Sequence, residues 1–452
     1  MSTSAEPFNR ALELERAGRS ADAVRLYQEI VRTNPAHAQA WEQLGCIATR
    51  SGQCDAAIEY FVRAIRIDGG QAPTHNYLGE CFLAKNELAK AEASFKQAIR
   101  LLPAYVTARV NLCLTHLAQG RLSEAEDCAQ QALASERTSA EDHWTAASLR
   151  LLRGELPDAW EEHEWRLKLP GRQHHTFPGL KWDGRPLAGA AILLYAEQGL
   201  GDGLQFARYV PQVIERGGRP ILVAPKQLVP LLRESFGLET LAFYEMPPAC
   251  PFHCSLLSLP WVFGTTLSSI PADVPYLRTR SDLVATWRER LAAVDGFRVG
   301  INWQGNRSYT LDAARSIPLA QFAALARVPG VRLISLQQKD GVEQLQNCGF
   351  DVISLGDGDP APRAFMDTAA IMQNLDLVIT SDTSMAHLAG ALGVRVWTAL
   401  PIVPGWRWLL ERSDSPWYPT MRIFRQTRAG DWADVFQRIA DELQRAVTAS
   451  RP

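Results

Sequence analysis

Apolar and small residues recur along the first third of the chain with a fixed period. Ala23, Ala57, Ala91, Ala125 and Ala159 stand 34 positions apart, and the first three are followed four residues later by Tyr27, Phe61 and Phe95. Ile30, Ala64, Ala98 and Ala132 come seven residues after the alanines, and Gly18, Gly52, Asn86, Gly120 and Gly154 five before. Pro35 and Pro103 close two units, with Gly69 in that place between them. Within a unit, Trp41, Leu44 and Gly45 mark one helix and Ala57, Phe61 and Ala64 the next, so each helix carries one apolar stripe. Gly45 and Ala57 are small enough to let the two helices approach closely. A single hairpin cannot bury its stripe alone, so it packs on the next one. Pro7, Arg10 and His163 break the pattern at its two ends, as capping units do.

This period, with its small, aromatic and proline positions, resembles the tetratricopeptide repeat. The resemblance predicts about five repeats over residues 1–168, a helical solenoid that offers a binding surface. Residues 169–190 are rich in Pro and Gly and read as a linker. From Ala191 the pattern alternates short apolar runs with helical stretches. Strands are predicted at 191–197, 221–225, 238–244 and 253–259, and after a break at 295–297 again at 297–303, 331–336, 351–355, 375–381 and 394–400. Such alternation builds parallel sheets covered by helices. The predicted class is therefore α plus α/β: a solenoid followed by two doubly wound, Rossmann-like domains, 191–295 and 296–452, facing across a cleft. A last helix at about 432–447 is expected to cross back and brace the first of them.

Composition narrows the partners. The 452 residues are 46% hydrophobic and 21% charged with net charge −2, a globular balance that argues against nucleic acid as the main partner. The opening MSTSAEPFNR lacks the apolar core of a secretory signal, and no run of about 18 uncharged apolar residues occurs. The expected location is the cytoplasm, without a membrane span, and the eight scattered cysteines fit reduced thiols. No metal site is expected. Cys250, His253 and Cys254 lack a second pair of ligands, and adjacent His174 and His175 cannot share one face. Asp357-Gly358-Asp359, a D-x-D, reads as a tight turn rather than an ion site.

Two strand ends are chemically loaded, and parallel sheets bind ligands at the carboxyl ends of their strands. One is Glu197-Gln198-Gly199-Leu200-Gly201-Asp202, where glycines permit a tight turn and Asp202 begins a helix. The other is Ser381-Asp382-Thr383-Ser384-Met385-Ala386-His387, where a strand runs into a helix start, a ready anion site. Thr383 and His387 share a helical face. The bland alternative makes Asp382 an N-cap and His387 merely buried. Gln337 and Gln338, just past a strand, face the same cleft by position and are candidates for touching a base. Trp406, Trp408, Trp417 and Tyr418 form either a stacking platform or a hydrophobic plug; the plug is preferred for Trp408, with Trp406 open.

The segments 191–211, 297–320 and 365–425, with the G-x-G-D loop and the LDLVITSDTSMAHLAGALG run, resemble the lipopolysaccharide heptosyltransferases, glycosyltransferases of the GT9 type with a two-domain GT-B fold. The combined architecture is similar to protein O-GlcNAc transferase and to flagellin glycosyltransferases carrying tetratricopeptide repeats. The resemblance implies that Asp202 is the general base, with Glu197 as understudy. It implies that Asp382, Thr383, Ser384 and His387 hold a nucleotide diphosphate, and that Arg315 pairs with its phosphate. Ser384 departs from the family's usual glycine, and the first α/β block is short for an acceptor domain. The first departure implies a different donor geometry, and the second implies that the repeats supply the acceptor surface. The implied function is metal-independent, inverting transfer from a nucleotide sugar to a protein hydroxyl, flagellin being one such acceptor, without a cofactor. A non-catalytic repeat adaptor and a nucleotide-sugar epimerase are the alternatives, and a homo-oligomer is admissible.

Overall fold

The computed structural model describes residues 5–17, 19–133, 139–169, 176–307, 312–356, 365–428 and 430–449. The chain forms two compact units, one of residues 1–146 with 308–314 and the other of residues 147–307 with 315–452.

In the first unit, helices pair as successive hairpins: Ala5–Arg16 with Ser20–Thr33, Ala38–Arg50 with Cys54–Ile67, Ala72–Ala84 with Leu88–Leu101, and Val106–Ala118 with Leu122–Leu133. The periodic residues are its core: Ala23, Ala57, Ala91 and Ala125 are wholly buried, as are Tyr27, Phe61 and Phe95. The small residue on each first helix has a steric cause. A Cβ added to Gly45 would lie 2.5 Å from the Phe61 ring, and one on Gly79 would lie 2.5 Å from Phe95. The glycine five positions before each alanine has a conformational cause. Gly52, Asn86 and Gly120 have φ of 72°, 59° and 76°, the left-handed region that glycine and asparagine enter most easily. Gly18 lies outside the described residues.

The helix Ala140–Arg153 crosses the division, and the helix Leu156–His163 belongs wholly to the second unit. There the Trp160 indole N–H donates to the Thr265 carbonyl at 2.8 Å.

The second unit holds two five-stranded parallel sheets. The first contains β1 (Leu180–Lys181), β2 (Ala191–Tyr195), β3 (Arg219–Ala224), β4 (Thr240–Ala242) and β5 (Phe252–Ser255), ordered β1-β5-β2-β3-β4. The second contains β6 (Phe297–Asn302), β7 (Val331–Ser335), β8 (Leu377–Thr380), β9 (Val396–Leu400) and β10 (Met421–Arg425), ordered β10-β9-β8-β6-β7. Both are compatible with a Rossmann-like fold. Strands β1 and β10 were not expected. The stretch 351–355 makes only an isolated bridge, Ile353 to Ile334, instead of the expected strand.

The last helix, Trp432–Ala449, corrects another expectation. It does not brace the first sheet. Phe436, Ile439 and Leu443 are buried in the core of the second sheet with Val299, Ile301, Phe322 and Trp397, and the Phe436 ring lies 4.5 Å from Phe322. Its apolar stripe had to be covered, and its own sheet lies closest along the chain.

Candidate functional site

In the second sheet the chain leaves β6 for β7 on one side, while β8 pairs with β6 on the other. The carboxyl ends of β6 and β8 therefore flank a switch point, where open α/β sheets bind ligands. Asn302, the last residue of β6, is buried there. Its Oδ1 accepts from the Thr383 hydroxyl at 2.8 Å and from Thr380 at 3.2 Å, and its Nδ2 donates to Gln337 Oε1 at 2.7 Å. Sequence reasoning passed over Asn302; a polar residue ending a buried strand was the available signal.

Thr383 is the N-cap of the helix Ser384–Ala391, its hydroxyl accepting from the Met385 N–H at 3.3 Å. The cap is thus Thr383, not Asp382. Its extended backbone, φ −136° and ψ 175°, aims the hydroxyl back over the first turn. The Ala386 N–H donates to the Thr383 carbonyl. Asp382 is half-buried, and its carbonyl accepts from Arg315 Nη1 at 3.0 Å. Arg315 is thereby brought to the helix start.

His387 is 4% exposed. Its Nδ1 lies 2.9 Å from the Tyr418 hydroxyl, and its ring stacks on Trp408 with centroids 5.0 Å apart. Burial, then the charges of Arg407, Arg208 and Arg315, hold its pKa well below 6.5. The imidazole is neutral at pH 7, so it offers shape and a hydrogen bond rather than positive charge.

The first sheet delivers the carboxylates. Asp202 lies in the first turn of the helix Leu200–Phe206, its Oδ2 accepting from the Gly199 N–H at 3.1 Å. Its Oδ1 accepts from Arg407 Nη2, on the 3-10 turn Trp406–Trp408 that follows β9. Asp202 and the helix start at 383 thus come together. Glu197 is engaged elsewhere. Its Oε1 accepts from Arg166 Nη2 at 2.6 Å and Nε at 3.2 Å, and from the Ser255 hydroxyl. Arg166 is fully buried and also bonds Glu164 and the Ser258 hydroxyl. Burial alone would raise the Glu164 carboxyl; the charges of Arg166 and Lys181 outweigh it and hold it low. This cluster fills the ends of β2 and β5, the switch point of the first sheet.

Gln337 is half-buried, and its side chain is spent within the protein. Its Oε1 accepts from the Trp303 and Gln304 amides, and its Nε2 donates to the Gln304 and Asp340 carbonyls. Gln338 is exposed and donates to the Thr368 hydroxyl at 3.0 Å. The aromatic group is buried throughout: Trp408, Trp417 and Tyr418 almost completely, and Trp406 against Trp160 and Phe206 at 5.5 and 6.2 Å. It packs as a plug, Trp406 included. Among the described residues no three His, Cys, Asp or Glu side chains gather as a metal site, and no helix is long and apolar enough to cross a membrane. His174, His175, Asp357 and Asp359 lie outside the described residues.

Tetratricopeptide-repeat profiles match residues 8–73, 50–106 and 83–149. The first third of the chain is a run of tetratricopeptide repeats. Protein FlbA of Caulobacter vibrioides is 25% identical over 451 residues, which cover 93% of this chain and 75% of FlbA. The general transcriptional corepressor trfA of Dictyostelium discoideum is 30% identical over 89 residues, 20% of this chain and 6% of trfA. Among solved structures, MamA is 18% identical with TM-score 0.32, covering 35% of this chain and 92% of MamA. PilW, a type IV pilus biogenesis factor, is 22% identical with TM-score 0.34, covering 37% of this chain and 80% of PilW.

Proposed function

We propose that the second unit transfers a sugar from a nucleotide-sugar donor to a hydroxyl of a protein held by the repeats. The observation that carries this is that Arg315 bonds at the Thr383-capped helix start while the helix bearing Asp202 packs against that same helix, Gly201 on His387. A helix start and a guanidinium suit a diphosphate, whose charge they stabilise as it leaves. Asp202 takes the proton of the acceptor hydroxyl while that oxygen bonds the anomeric carbon and the carbon–phosphate-oxygen bond breaks. Attack on the face opposite the diphosphate inverts the anomeric carbon. The stabilising charge in this scheme is arginine's, so no divalent ion is required. Glu197, held by a buried arginine, serves to position the β2 end rather than to accept the proton.

The repeats suit a protein acceptor, because such arrays bind extended protein surfaces; the flagellin acceptor rests on the resemblance alone. A second reading, a repeat adaptor with an idle α/β unit, draws on the burial of His387 and the pairing of Asp202. The full chain incubated with a panel of nucleotide sugars and a bacterial lysate, read by intact-mass spectrometry, separates these readings. A mass gain on a protein that is lost in Asp202→Ala supports transfer. An altered free nucleotide sugar favours epimerisation, and no change favours the adaptor.

A further inference from the structure

Asp202 is not open to a substrate. Its side chain is 13% exposed, and one oxygen is held by Arg407, whose side chain is 17% exposed. A carboxylate oxygen that already accepts from a guanidinium is not available to an acceptor hydroxyl. Arg407 is itself incompletely used. Its guanidinium lies over the Trp406 ring at 4.4 Å, and its buried Nε has no hydrogen-bond partner. Such an orphaned donor is costly unless something else completes the fork. The loop that carries it also bears strain. Leu409 and Glu411 adopt φ of 53° and 57° without being glycine, conformations that persist where the surroundings enforce them and cluster at switching segments. The same loop touches the helix start: a Cβ on Gly405 would lie 3.1 Å from Asp382 Oδ2. Arg407 therefore stands between two anionic positions, the carboxylate it now holds and the diphosphate place beside Asp382 and Ser384.

We propose that Arg407 is an anion-exchange latch: it masks Asp202 in the empty protein and moves to the diphosphate of a bound nucleotide, freeing the carboxylate. The latch rests on the diphosphate site proposed above. It makes donor binding precede proton removal, so that a base is exposed only when an activated sugar is in place.

Isothermal calorimetry of the full chain with UDP, GDP, CDP and ADP tests it. Asp202→Asn keeps an oxygen for the Gly199 amide but loosens the hold on Arg407, and tightens diphosphate binding about tenfold. Arg407→Gln weakens binding about tenfold, Arg407→Lys by less, and the Asp202→Asn/Arg407→Gln double variant behaves like Arg407→Gln. A purely structural pair gives unchanged or weakened binding in Asp202→Asn, and that result overturns the latch. Thr383→Val and Arg315→Gln separate the two levels. Binding that depends on both residues but is not tightened in Asp202→Asn overturns the latch alone. Binding that is absent, or indifferent to Thr383 and Arg315, overturns the diphosphate site and the latch together.

Discussion

Gly201 and His387 touch across the two sheets: a Cβ on Gly201 would lie 2.7 Å from His387 Cδ2 and 3.4 Å from Nε2. The ring has nowhere to retreat, being stacked on Trp408 and bonded to Tyr418. Gly201→Ala should therefore cost about 1–3 kcal/mol by overpacking. Gly203→Ala is a control on the same helix, where the nearest atom is the far end of the Leu228 side chain, which can turn aside. Denaturant unfolding of both variants checks the contrast. Equal losses would mean that the first turn as a whole, rather than the glycine–histidine contact, is intolerant of bulk.

Glu197 looks from sequence like a spare base, and in the structure its Oε1 is held by Arg166. Arg166 is fully buried, and removing Glu197 leaves Glu164 as the remaining carboxylate on its guanidinium. Glu197→Ala should destabilise the α/β unit by about 3 kcal/mol, the penalty of a buried charge that has lost a partner. Replacing the triad together, Arg166→Met with Glu164→Leu and Glu197→Leu, should recover most of that loss, because an apolar group of similar volume needs no desolvation. Thermal unfolding monitored by circular dichroism measures both.

The repeats were legible because a single constraint recurs every 34 residues, and each periodic position has a local cause. Gly52 and Asn86 satisfy a left-handed backbone, while Gly45 makes room for Phe61. The strand-and-helix rhythm from Ala191 was legible for the same reason. What stayed hidden depends on partners distant in sequence. Arg407 meets Asp202 across 205 positions, and Arg166 meets Glu197 across 31, with no periodic trace of either. The apolar stripe of the helix 432–449 states that it packs, but not on which sheet. Asp382 and Thr383 are both good cap residues, and only backbone geometry assigns the cap to Thr383.

The repeats carry a pH signature of their own. Glu80 is half-buried beside Asn76 and Asn111, whose amides donate to its Oε1 at 2.8 and 3.1 Å. Burial raises its pKa above 4.5 despite those hydrogen bonds. The folded unit holds that proton more tightly than the unfolded chain, so its contribution is full below pH 4.5 and is lost as pH rises through the folded-state value. Above that value the ionised Glu80 weakens the unit. Glu80→Gln keeps an oxygen for the asparagines and removes the charge. Its unfolding midpoint should exceed that of the parent at pH 7, and the gap should close as pH falls toward 4.5. A gap that widens on acidification would reverse the assignment.

His387 gives the opposite sign. Its depressed pKa means that the fold favours the neutral ring, walled by Arg407, Arg208 and Arg315 and bonded to Tyr418. Its stabilising contribution is complete above pH 6.5, where the ring is neutral in both states, and drains away as pH falls toward the folded-state value, because only the unfolded chain takes up the proton. The α/β unit should therefore lose stability between pH 7 and pH 5 more steeply than a His387→Gln variant, even though that variant starts lower through lost stacking on Trp408. Urea unfolding at half-unit pH steps gives the two slopes, and the slope difference is the informative quantity, since other titrating groups contribute equally to both proteins. Equal slopes would mean that the imidazole is as free to accept a proton when folded as when unfolded.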